Sequence, residues 1–185
     1  MSKRYEICLA GSGGQGVITA AVMAGEAASI FAKDLYAVQS QSYGPAARGG
    51  AAKAEVVISD APIDYPKPVA SDLVIALTTE AAQKYAHEVK KGGKVILDSF
   101  GVQGDFSHID AKVYNLPLIE TARNKVGKEI VTNMIALGMV AAILEQAELV
   151  TVDEMRKAMM NRVPKGTEEL NAAAFEEGYK MFPRD

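Results

Sequence analysis

The sequence predicts an α/β domain of three layers, α/β/α, with a mainly parallel sheet and a helical C-terminal segment. Three observations carry this. Strand-like apolar runs alternate with helix-like stretches from Tyr5 to about Asn115. The run Leu73-Val-Ile-Ala-Leu77 is continuously apolar, as strands buried on both faces are. From Pro117 onward the pattern turns helical throughout.

In order, Tyr5 to Ala10 reads as a buried strand. Gly11-Ser-Gly-Gly-Gln-Gly16 follows as a loop, and the small-residue stretch Val17 to Ala32 as a helix. Leu35 to Val38 reads as the next strand, which forms with the first a right-handed βαβ unit whose two strands run parallel. Gln39 to Gly50 is polar and rich in glycine, with Pro45 inside it, and reads as a long loop. Ala51 to Ser59 begins by alternating, as a half-exposed or edge strand would. Three prolines within Pro62–Pro68 exclude regular structure there. A strand at 72–77 leads to a helix over Glu80 to Lys90, with Thr78 or Thr79 as its cap and Gly92-Gly93 as its stop. Lys94 to Asp98 and Lys112 to Asn115 complete the strands. Helices follow at Leu118 to Lys125, Glu129 to about Val150, about Thr151 to Asn161 behind a Thr151–Glu154 capping box, and Thr167 to about Met181. The whole, residues 1–185, reads as a single Rossmann-like domain.

Composition narrows the function. A net charge of −3 gives no basic face for nucleic acid. The longest uninterrupted apolar run, Met134 to Leu144, is too short for a membrane span, and no secretory leader is evident, so a cytoplasmic location is expected. One cysteine and two distant histidines, His87 and His108, suggest no metal site.

Two stretches could carry a site. The glycine loop sits between strand and helix, where unpaired amides and the helix dipole favour an anion. It satisfies the G-x-G-x-x-G dinucleotide pattern, but that reading also needs an acid at the end of the second strand, where Gln39-Ser40 stand instead. The loop could therefore pack helix on strand, or contact a phosphate-bearing ligand or a partner surface. Gln39 to Gly50 offers Gln39, Ser40, Gln41, Ser42, Tyr43 and Arg48 as donors. The fork of Arg48 suits a phosphate or carboxylate. In an open α/β sheet the two loops should be neighbours. No catalytic set is visible: Cys8 reads as core, His87 as solvated, and Asp98 has no partner carboxylate. Such a domain suits a subunit, while an independent dinucleotide-binding enzyme and a non-catalytic small-molecule-binding domain remain as alternatives.

Gly11-Ser-Gly-Gly-Gln-Gly-Val17 followed by Gln41-Ser-Tyr-Gly-Pro-Ala-Ala-Arg-Gly-Gly50 resembles the gamma subunit of the 2-oxoacid:ferredoxin oxidoreductases, and the equivalent domain III of single-chain pyruvate:ferredoxin oxidoreductase. Ser59 to Pro66, Ser71 to Leu77 and Asn133 to Gly138 extend the resemblance over most of the chain. The 2-oxoglutarate type is resembled most, with the 2-oxoisovalerate, pyruvate and indolepyruvate types close behind. The resemblance implies a non-redox subunit of a complex that decarboxylates a 2-oxoacid, reduces ferredoxin and forms an acyl-CoA. It places thiamine diphosphate, magnesium and the iron–sulfur clusters on alpha, beta and delta-type partner subunits, and none on this chain. The isolated chain would then be inactive and could form a homodimer. Gly11, Gly13, Gly14, Gln15, Gly16, Ser42, Tyr43 and Arg48 become candidate contacts to a CoA phosphate or a partner subunit.

Overall fold

The computed structural model describes residues 3–43 and 50–183. Six strands form one mixed sheet: β1 (Arg4–Ser12), β2 (Tyr36–Tyr43), β3 (Ala51–Ser59), β4 (Ser71–Ala76), β5 (Val89–Asp98) and β6 (Lys112–Leu116). Their order is β2-β3-β1-β4-β5-β6, with the pairings from β1 through β6 parallel and β3 antiparallel to both its neighbours. The helices are α1 (Val17–Glu26), α2 (Thr79–Tyr85), α3 (Leu118–Thr121), α4 (Thr132–Gln146), α5 (Val152–Arg162) and α6 (Glu168–Met181). Wide turns extend α1 over Ala27–Phe31 and α3 over Ala122–Val126.

The expected three layers form around two apolar cores. On one face Ile7, Leu9, Val56, Ile58, Leu73 and Ile75 pack under α1, α4 and the later helices. On the other, Cys8, Ala10, Val74, Ala76, Val95 and Leu97 meet Ala81, Ala82 and Tyr85 of α2. Alternation along each strand divides its side chains between these cores. Residues 129–146 are long and apolar enough to cross a membrane, with mean hydropathy 1.3, but 78% of them are buried here. The stretch serves as a core helix because α6 and α1 cover it.

β1 and β2 run parallel, as read, with β3 between them: the crossover through α1 skips one position, and β3 returns as a hairpin partner of β2 to fill it. Three details differ from the sequence reading. β3 is therefore an inner strand, and β2 is the edge. The alternation that suggested an edge comes from Lys53 and Glu55, which β3 tolerates because they pair. Lys53 Nζ donates to Glu55 at 2.8 Å and to Glu88 at 2.7 Å, and lies over the Tyr85 ring. Burial pulls the Lys53 ammonium down, but those two carboxylates outweigh it and hold it above the usual lysine range. Gln39 to Tyr43 are strand rather than loop, since β3 supplies the pairing that their polar side chains gave no hint of. Finally, α2 stops at Tyr85 and β5 starts at Val89, so Gly92-Gly93 lie inside a strand. Two steps along β4, from Ser71 to Leu73, face five along β5, from Val89 to Lys94, and this bulge absorbs the glycines. The caps fall as expected: Thr78 accepts from the Ala81 amide at 3.3 Å, and Thr151 and Glu154 close a capping box.

Candidate functional site

β1 continues through Gly11 and Ser12 to the end of the sheet, where the chain must turn sharply to enter α1. The Gln15 amide donates to the Ser12 carbonyl at 3.1 Å, closing a tight turn. The Gln15 side chain folds back and accepts from the Ser12 amide at 2.8 Å. Gly13 and Gly14 form the exposed tip. Gly16 precedes α1 with φ 71°, a left-handed conformation that glycine adopts without strain.

A second element holds this loop from outside. Asn133, in the first turn of α4, donates from Nδ2 to the Gly16 carbonyl at 3.2 Å. A Cβ on Gly16 would collide with that amide. The sequence reading passed over Asn133 as a ligand of the loop. The available signal was a polar side chain at the head of an otherwise apolar helix.

Of the loop amides, Gly13 donates to the Gly50 carbonyl at 3.3 Å and Gln15 to Ser12. Among the described residues, no group accepts from the amides of Gly14 and Gly16 or from Val17, Ile18 and Thr19, the first turn of α1. These are the amides free to meet an anion or a partner carbonyl. The Gly13–Gly50 bond also brings the residue just before β3 against the glycine loop. Gly11 and Tyr43 pair with Ala52 from opposite sides of β3. The end of β2 therefore lies two strand spacings, roughly 10 Å, from the end of β1. Ser42 is exposed there, and Arg48 lies outside the described residues.

Beside the loop, Gly14, Gln15, Glu129, Ile130 and Thr132 line a hollow of about 210 Å³. Ile130 is 76% exposed on a turn fixed by the Thr132 hydroxyl, which donates to the Glu129 carbonyl at 2.6 Å. Arg123 pairs with Glu129 at 2.7 Å and stacks on the exposed Phe100 ring at 4.8 Å. Amides, an apolar side chain and a paired guanidinium thus share one end of the sheet. Such a surface can bind and orient.

The acid and the thiol considered for chemistry are structural. Asp98 is fully buried and accepts from the amides of Phe100, Gly101 and Ile119 at 3.0, 2.5 and 2.8 Å, tying β5 to α3. Cys8 is sealed in β1, where burial, with a contribution from Glu88, pushes its thiol far above the ordinary range.

The model of the family described as pyruvate ferredoxin/flavodoxin oxidoreductase matches residues 6–181. The chain belongs to this family. It is 44% identical over 179 residues to the 2-oxoglutarate synthase subunit KorC of Methanocaldococcus jannaschii, covering 96% of this chain and 94% of that one. The KorC of Methanothermobacter marburgensis is also 44% identical, covering 97% of each. Among solved structures, the gamma subunit of keto/oxoacid ferredoxin oxidoreductase from Geobacter sulfurreducens superposes with a TM-score of 0.85 at 44% identity, over 97% of this chain and 96% of that one. The fold extends to a 2-oxoglutarate:ferredoxin oxidoreductase chain from Magnetococcus marinus, at 19% identity and a TM-score of 0.83. In a family member of this kind, the glycine loop is not the fingerprint of an independent dinucleotide-binding enzyme. The geometry agrees: β3, not β2, lies beside β1, so the acid expected of a neighbouring second strand has no place.

Proposed function

We propose that this chain is the gamma subunit of a 2-oxoacid:ferredoxin oxidoreductase, with 2-oxoglutarate as the acid. The observation that carries this is 44% identity, end to end, to 2-oxoglutarate synthase subunits of two archaea and to a solved gamma subunit. The reaction is the oxidative decarboxylation of the 2-oxoacid to its acyl-CoA, with electrons passed to ferredoxin. The chain works as one domain in the cytoplasm, joined to alpha, beta and delta-type subunits.

Thiamine diphosphate, magnesium and the iron–sulfur clusters belong on those partners. The residues here do not suit an iron–sulfur cluster: it needs several thiolates, and the one cysteine is buried with its thiol held neutral. The chain's own part is to present a surface. Gly14, Gly16 and the first turn of α1 offer amides at the end of the sheet, with Gly11, Gly13 and Gln15 shaping the turn. Arg48, Ser42 and Tyr43 are the further candidates for a CoA phosphate or a partner carboxylate.

Affinity purification of this chain from its native host tests the reading. It should co-elute with brown iron–sulfur protein that reduces a viologen dye only when a 2-oxoacid and CoA are supplied, and fastest with 2-oxoglutarate. Purification with no such activity contradicts it. In the purified complex, Arg48→Ala should raise the KM for CoA about tenfold or more, the loss of one charge-assisted hydrogen bond of about 1.5–3 kcal/mol. Unchanged CoA dependence in an intact complex would remove Arg48 from that role.

A further inference from the structure

β2 pairs with β3 along one side, and among the described residues nothing pairs with its other side. An eight-residue strand therefore presents an open row of amides and carbonyls. Soluble proteins blunt such edges with charge, proline, bulges or short length. The opposite edge does so: β6 is five residues long and carries an exposed Lys112. β2, Tyr36-Ala-Val-Gln-Ser-Gln-Ser-Tyr43, does not. It holds no charged residue and no proline, and its pairing with β3 runs unbroken through all eight residues. Exposed Lys33 and Asp34 stand just before the strand, but along β2 itself Tyr36 is 50% exposed, and Ile30 is 64% exposed on the turn packed against β2.

We propose that β2 is the joint between two copies of this chain, paired antiparallel so that one sheet runs through both. An edge matched to a different protein could use charge to select it. β2 carries none, and an uncharged strand accepts its own antiparallel image without like-charge opposition. A two-fold axis near the middle of β2 sets Gln39 against Gln39 or Gln41 of the other copy, and each amide can both donate and accept. The pairing also closes. Each chain has a single β2, so it ends at two copies, whereas pairing β2 with β6 would propagate into a filament. This does not depend on the oxidoreductase reading, which a monomeric chain would leave standing.

Sedimentation velocity of the full chain at micromolar concentration should give twice 19.7 kDa. The double variants Gln39→Lys with Gln41→Lys, and Gln39→Glu with Gln41→Glu, should each sediment as folded monomers. An equimolar mixture of the two should return to the doubled mass, because opposite charges then face each other. Amide exchange over residues 36–43 of the unaltered chain should slow as concentration rises, a readout independent of the variants. A monomeric unaltered chain, a dimer that survives both substitutions, or exchange at 36–43 that ignores concentration would each overturn the proposal. So would a different subunit occupying β2 in the assembled complex.

Discussion

Asn133 reaches across 117 positions of sequence to hold the Gly16 carbonyl, and the glycine loop owes its shape to that contact as much as to its own residues. Asn133→Ala should cost about 1 kcal/mol in urea denaturation, the net worth of one hydrogen bond. Loss of assembly or CoA affinity beyond that cost would show the loop moving. At the same scale, Cys8, Tyr5 and Lys53 all hold their protons more tightly in the folded chain than outside it. Burial is the largest cause for Cys8 and Tyr5; at Lys53 burial acts the other way, and the Glu55 and Glu88 carboxylates together outweigh it. The unfolded chain therefore loses these protons first. Stability is fully present below the ordinary thiol range near about 8.5 and falls as pH rises above it, approaching roughly 1.4 kcal/mol per pH unit for each group. A urea midpoint series from neutral to alkaline pH checks this, and Cys8→Ala should flatten the first part of the decline. The core role of Cys8 was legible in the sequence from its place in an apolar run. The Asn133 contact was not, because hydrogen bonds between distant elements leave no local pattern.

Between helices, α4 and α6 cross at close quarters. Gly138 and Gly178 face each other's helices, and a Cβ at either would run into the opposing backbone, at Phe175 or Ile135. Gly178→Ala should destabilise by about 1–3 kcal/mol, as overpacking does, although alanine is the better helix former. Thermal unfolding will read this directly, and a neutral or stabilising result would show that the helices can part. Helix positions were largely readable from apolar spacing and caps such as Thr78 and Thr151. Strand neighbours were not. The same residues 51–59 suit an edge or an inner strand, and the Lys53–Glu55–Glu88 pairing, which joins β3 to the distant turn before β5, permits the inner place. The bulge at Gly92-Gly93 was misread for a related reason: glycines stop a helix or kink a strand with equal ease.

The molecule as a whole gathers its candidate contacts at one end of the sheet. The free amides of Gly14 and Gly16, the exposed Ile130 and the end of β2 all lie there, while Asp98, the acid best placed for chemistry, is committed to the fold. This division explains why residue patterns alone suggested a subunit without naming its reaction: a presenting surface carries no catalytic signature. The family was legible because two loop motifs recur together, Gly11 to Val17 and Gln41 to Gly50. Which amides of the first loop remain free was not legible, since the Gly13–Gly50 and Gln15–Ser12 bonds depend on how the chain turns.

The most direct test is to withhold the chain and add it back. Partner subunits prepared without it should reduce ferredoxin slowly or not at all with 2-oxoglutarate and CoA. Adding this chain should restore turnover, saturating at one copy per catalytic unit. Full 2-oxoglutarate-dependent turnover in its absence would contradict the account.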